Sequence, residues 1–217
     1  MKKLFIIILC FPFITFSQDC NSVFFDLDDK IVLEYPLLSG SPVPIQFTGE
    51  FTIELWINTT HTIQNGPKIL YKPNYDNPIG GAALYGGINM YLDGNGFLKF
   101  AAYNLSQYQS GAWQYLISLY PINDGNWHHV AVMRDASNQM LMYVDGILVD
   151  QHQGISGTIG DGPKELIMGC SRVSGSTYIN SLSGNIDNLR QWDRALSSSE
   201  VNQYMNQCVI NDQDLKM

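Results

Sequence analysis

Two glutamates on one face of a strand are the first residues here that could do chemistry. Glycoside hydrolysis needs a pair of carboxyl groups, about 5–5.5 Å apart for retention or roughly 6.5–9.5 Å for inversion. Glu50 and Glu54 share a face in the alternating stretch Glu50 to Asn58, but four residues at ~3.3 Å each put them about 13 Å apart. That is too far for either geometry. His128 and His129 are adjacent in another alternating run, so they point to opposite faces and cannot chelate together. His61 and His152 complete the histidines without metal-ligand spacing, and no Gly-x-Ser-x-Gly elbow exists for a serine nucleophile. Recognition is better served. Tyr103, Asn104, Tyr108, Trp113 and Tyr115 fall in or beside one loop, with Tyr75, Asp76 and Tyr178 in others. Aromatic rings stack on sugar faces while amides and carboxylates read hydroxyls. The plainer alternative is that these aromatics cover a sheet edge. Trp56, Trp127 and Trp192 sit in strand patterns and read as packing residues.

Composition narrows the partner. Over 217 residues the formal charge is −8, with no basic run, which argues against nucleic acid and anionic membrane. Acidity suits neutral ligands, basic surfaces or divalent cations, or simply keeps the domain soluble. Lys2 and Lys3, the apolar run Leu4 to Phe16 and the small residues around Ser17 have the form of a secretory signal. The run is about 13 residues, short of the ~20 a transmembrane helix needs. Residues 1–17 are therefore expected to be cleaved, which removes two lysines and no acid and takes the charge from −8 to −10. A secreted, extracellular or periplasmic location follows. Three cysteines remain, Cys20, Cys170 and Cys208. Cys20 and Cys208 flank the whole domain, so a bridge between them would clamp its ends and leave Cys170 as a small buried residue.

The elements that must position these residues are mostly strands. Gly125 to Asp135 and Met140 to Gly146 alternate as a hairpin, and Asp145-Gly146 turns into Ile147-Leu148-Val149 as a second, tight one. Short strands are expected at Ser22 to Phe25, Lys30 to Leu33, Lys68 to Lys72, Leu84 to Leu92, Phe97 to Tyr103, Leu116 to Tyr120, Glu165 to Met168 and Leu182 to Trp192. Pro36 to Pro44, Gly154 to Lys164 and the polar stretch Ser171 to Ser181 read as loops. One helix is expected after Arg194, with Ser197 as cap and Glu200 three residues on. The pattern predicts one all-β domain, a two-sheet antiparallel sandwich over residues 18–208 with a short C-terminal helix and a tail at 209–217.

Four segments carry a resemblance: Phe51 to Ile57, Gly125 to Val132, Leu141 to Gly146 and Gly184 to Ser197, in this order. Together they resemble the laminin G-like and pentraxin group of concanavalin A-like domains, over roughly Cys20 to Gln207. The resemblance implies a jelly roll and extracellular binding of glycans or proteins. Glycosidases of this fold similar to laminarinases carry Glu-x-Asp-x-x-Glu on one strand, and no such run occurs here. Pentraxins carry a Glu-Gln-Asp cluster where this chain reads Cys170 to Gly175 without an acid, which argues against a pentraxin-style double calcium site. The cysteine near Asn185 of animal laminin G domains is missing too. In related domains the first and last strands are neighbours and often hold a structural Ca²⁺ there. Asp26, Asp28, Asp29 and Asp187 are the matching oxygen donors, against the alternative that they are turn formers. The expectation is a secreted, non-catalytic module for glycan or another surface ligand; a protein-adhesion module without a sugar site comes second, and a glycosidase or lyase third.

Overall fold

A computed structural model describes residues 22–33, 47–63, 66–73, 87–103, 115–154, 156–159, 166–174 and 177–207. In chain order its strands are β1 (Val23–Phe25), β2 (Ile31–Leu33), β3 (Phe51–Asn58), β4 (Lys68–Pro73), β5 (Gly87–Leu92), β6 (Phe97–Tyr103), β7 (Leu116–Pro121), β8 (Trp127–Arg134), β9 (Gln139–Val144), β10 (Ile147–Gln153), β11 (Leu166–Met168), β12 (Ser171–Ser174), β13 (Thr177–Ile179) and β14 (Gly184–Trp192). A short helix, α1 (Ser198–Tyr204), follows. The strands form two six-stranded antiparallel sheets: sheet I in the order β1-β14-β3-β8-β9-β10 and sheet II in the order β2-β11-β4-β5-β6-β7. The chain is a two-sheet sandwich, as its alternation predicts, and a jelly roll, as the resemblance implies.

Alternation decides what lies between the sheets. From sheet I, Phe51, Ile53, Leu55, Ile57, Val130, Val132, Met140, Met142, Val144 and Ile186 point inward; from sheet II, Leu70, Ile88, Met90, Leu92, Leu98, Phe100 and Leu116 meet them. Burying a side chain of this size is worth about 1.5–3 kcal/mol. Cys170 is part of this core with a free thiol, and burial pushes its pKa up to about 11. The turn at Asp145-Gly146 has φ of 52° and 76°, the left-handed pair a two-residue hairpin demands.

One expectation is corrected. The stretch predicted as a polar loop, Ser171 to Ser181, contains the hairpin β12–β13, with Ser171 opposite Ile179. Its polar sequence hides it because the ladder lies outside both main sheets. The helix is shorter than its pattern but starts where the sequence says: Ser197 Oγ accepts from Glu200 N, and the Glu200 side chain returns to Ser197 N. Among the described residues no helix is long and apolar enough to cross a membrane. Cys20 and Cys208 lie outside the described residues.

Candidate functional site

Each sheet has a second face, turned away from the core, and the two are built differently. On sheet I this face carries Thr52, Glu54 and Trp56 from β3, Ala131, Met133 and His129 from β8, and Arg190 and Trp192 from β14, placed by direct cross-strand pairing. The segment after β14 seals it. Thr52 Oγ1 donates to Arg194 O (2.9 Å) and accepts from Leu196 N (3.0 Å); Trp56 Nε1 donates to Met205 O (3.1 Å); the Arg190 guanidinium donates to Tyr204 O (2.9 Å) and Gln207 O (3.0 Å). Trp192 stacks on Tyr204, ring centroids 4.9 Å apart and nearly parallel.

A charged cluster sits under that cover. Glu54, fully buried, takes a hydrogen bond from Trp192 Nε1 (3.1 Å) on Oε1, which also lies 2.9 Å from Arg190 Nε. His129 Nε2 is 3.3 Å from Oε2. The Arg190 Nε and His129 contacts are close but not aligned as hydrogen bonds; that of Arg190 acts as a charge contact. Buried between sheet I and its cover, this group of acid, imidazole and guanidinium is a structural keystone. His128, on the opposite face as its neighbour relation predicts, lies between Asp145 Oδ2 (2.9 Å) and Asp124 Oδ1 (3.2 Å).

The outward face of sheet II is the candidate site. Two rows of paired residues cross it: Ile167, Tyr71, Asn89 and Ala101 in one, and Lys68, Tyr91, Lys99 and Ile117 in the other. The first row is buried; the second opens to solvent at Tyr91, Lys99 and Ile117. Tyr115 meets Tyr91 edge-on at 5.8 Å, and its hydroxyl is hydrogen-bonded to that of Tyr91. Burial, reinforced by Tyr115 and Asp93, pushes the Tyr91 phenol well above its ordinary range, so it stays a neutral donor. The Lys68 ammonium lies 3.8 Å over the Tyr91 ring, and burial lowers its pKa to about 8. Lys99 Nζ pairs with Asp93 Oδ2 at 3.2 Å. Two half-buried tyrosine rings and an ion pair thus lie beside a buried amide and a buried ammonium on this face.

Of the predicted ligand residues, the structure places Tyr115 on this face. Tyr103 ends β6 beside Gly87 at one end of the same sheet, while Asn104, Tyr108 and Trp113, like Tyr75 and Asp76, lie outside the described residues. Tyr178 packs elsewhere, under Lys30 at 4.3 Å. A search for aromatics in loops misses Lys68, Asn89, Tyr91 and Lys99, which lie on strands. The available signal is the alternation of the last three with Met90, Leu92, Leu98 and Phe100, which turns them outward. Trp56 and Trp192 are buried as expected, whereas Trp127 is 36% exposed at the start of β8.

The expected calcium donors are not brought together. Asp26 to Asp29 forms a turn in which Asp29 N donates to Asp26 O (2.8 Å), Asp26 N to Asp29 Oδ2 (2.9 Å) and Leu27 N to Asp26 Oδ1 (2.8 Å). β1 does pair with β14, but Phe25 faces Gly184, so Asp187 lies about 13 Å from Asp26, four residues at ~3.3 Å. Asp187 Oδ1 accepts from Asn188 N (2.7 Å). Among the described residues no group of three or more His, Cys, Asp or Glu is placed to hold a metal ion.

Comparison with known proteins agrees with this architecture. Residues 36–202 match a laminin G family model described as the concanavalin A-like lectin/glucanases superfamily. The chain belongs to that superfamily. A curated relative, the sushi, von Willebrand factor type A, EGF and pentraxin domain-containing protein 1 of Rattus norvegicus, is 26% identical over 193 residues, which is 85% of this chain and 5% of the relative. The chain thus spans a small part of that protein. Among solved structures, the CBM40 module of a Ruminococcus gnavus sialidase bound to α2,3-sialyllactose superposes with a TM-score of 0.60 at 15% identity, over 84% of this chain and 95% of that one. A heptameric pentraxin from Limulus polyphemus gives 0.51 at 20% identity, over 82% of each chain. This superfamily member shares its fold with carbohydrate-binding modules.

Proposed function

We propose that this protein is a secreted, non-catalytic module that binds glycan through the outward face of sheet II. The observation that carries the reading is the pairing of Tyr91 with Tyr115 beside the Lys99–Asp93 ion pair, on the partly exposed part of this face. The carbohydrate-binding structure with the same fold supports it. Glu54, on the other sheet, is sealed among Arg190, Trp192 and His129.

A glycan array, run with and without Ca²⁺, tests the reading, and the two arms also decide the calcium expectation. Tyr91→Ala is expected to lower affinity for the best array ligand at least tenfold, about 1.4 kcal/mol, with the melting temperature measured alongside. Retained binding in Y91A, or an array without hits, overturns the assignment of this face. The protein-adhesion alternative draws on a different surface, the apolar strip of Leu119 on β7 and Ile147 and Leu148 on β10, and an array without hits would favour it.

A further inference from the structure

Lys68 is an anomaly in an acidic chain. Acids outnumber bases 20 to 12, yet this lysine, 8% exposed, has no carboxylate beside it among the described residues. Its Nζ makes no hydrogen bond and no ion pair with them; its partner is the π-face of Tyr91. Burial alone accounts for its lowered pKa, with no opposing charge to restore it. Buried ammonium groups are ordinarily paired. Two residues along β5 from Tyr91, on the same face, Asn89 Oδ1 is enclosed and likewise receives no donor among the described residues. Unmet polar groups of this kind are uncommon in folded proteins. Among the described residues the others lie on strands of sheet I, in or near the sealed cluster, and Asn89 Oδ1 is the one beside Lys68 on the surface already assigned to a ligand. The ion pair next to them is balanced, Lys99 by Asp93, so Lys68 is the cation that the described part of this face leaves without an anion.

We infer that Lys68 anchors an anionic substituent, a carboxylate or a sulfate, of a saccharide bound on the outward face of sheet II. The inference rests on the proposed glycan-binding function and names its ligand class. The ligand's anion accepts from the N–H donors of the ammonium that are turned away from the Tyr91 ring, and its rings and hydroxyls lie along Tyr91, Tyr115 and Lys99. Desolvation that costs stability in the free protein strengthens the ion pair once formed. Selectivity follows from the net charge: at −8, or −10 without residues 1–17, the protein repels polyanions non-specifically, so an acidic saccharide binds through a local contact.

Titration calorimetry tests this with two matched pairs, oligogalacturonate against its methyl ester and dextran sulfate against dextran, on wild type and Lys68→Met. The first pair reads a carboxylate and the second a sulfate. At pH 7 one acidic member is expected to bind at least tenfold tighter than its neutral partner, and K68M, which should fold at least as well, loses that preference. The preference is also expected to fade above about pH 8 as the ammonium deprotonates. The titratable groups facing Lys68 are Tyr91, whose phenol is held neutral to higher pH, Tyr115, Lys99 and Asp93, an acid whose pKa is lowered on balance, its burial outweighed by the N–H groups of Asn95 and Phe97 and by Lys99. Equal binding of acidic and neutral members, or an unchanged preference in K68M, overturns the inference and leaves the glycan reading standing. Binding by none of the four saccharides, with an empty array, overturns both.

Discussion

The outward faces of the two sheets start from the same sequence device and end as opposites. Each alternates with a core-facing row, and each carries charge and aromatic rings. On sheet I the acid, guanidinium and indole groups of Glu54, Arg190 and Trp192 close on one another, and the segment through α1 covers them. On sheet II the Lys68 ammonium and the Asn89 amide oxygen find no ionic or hydrogen-bonding partner among the described residues, and Tyr91 and Lys99 remain in reach of solvent. Charge that is paired and covered holds the fold together. Charge that is desolvated and left unpaired costs the fold and favours a ligand.

The largest effect expected from breaking that contrast is on the covered face. Glu54→Ala strips the partner from Arg190 and from the Trp192 N–H, and losing one member of a buried pair costs roughly 3–5 kcal/mol. Urea melts should show this loss, while glycan affinity per folded molecule stays unchanged; a parallel loss of affinity in the folded fraction would mean the two faces are coupled.

The cover itself is expected to be clamped by a Cys20–Cys208 disulfide. Val23 pairs with Ile186 and Gln207 O is held by Arg190, so both ends of the domain run onto β14. Breaking such a bridge typically costs about 2–5 kcal/mol. Thiol titration of native protein should find no reactive cysteine, Cys170 being buried with its pKa raised to about 11, and denatured protein should show one thiol. Two further thiols under non-reducing conditions would remove the clamp.

Lys68→Met should have the opposite sign. The ammonium's pKa is near 8 in the folded protein against 10.5 for an ordinary lysine, and each unit is worth ~1.36 kcal/mol, so the gain has a ceiling of about 3–4 kcal/mol. Below pH 8 both the folded and unfolded states of wild type are protonated and the full penalty stands. As pH rises toward 10.5 the unfolded state keeps the proton the folded state has lost, and the penalty shrinks because the folded state no longer holds a buried charge. Melting curves of the pair should converge over that window. A gap that widens instead would show that the charge is stabilising. The smallest effect belongs to the edge of the cover: Ser197→Ala removes the cap of α1 and should cost about 1 kcal/mol in a thermal melt, with no change in binding.

How far each face can be read from sequence follows from range of interaction. The hairpin around Trp127 to Gly146, the capping box at Ser197 and Glu200, and the opposite facing of His128 and His129 rest on period, turn chemistry and contacts a few residues apart, and all three are in the structure. Tyr91 carries no such local signal, because its significance depends on Lys68 and Tyr115, 23 and 24 residues away along the chain. The calcium donors form a plausible set in sequence because β1 and β14 are neighbours, but register, set by which residue pairs with Gly184, separates Asp187 from Asp26.

The sequence by itself determined the sandwich, its core rows and its hairpins, because a period of two tells every strand residue which face it occupies. It could not say which outward face would be covered, since alternation gives inside and outside for one sheet at a time. Only the tertiary structure decided that the segment ending at Gln207 lies across sheet I and leaves Tyr91 and Lys99 on sheet II open to solvent. Cover comes from chain segments distant in sequence, and on sheet I it turns outward-facing charge into a buried structural cluster.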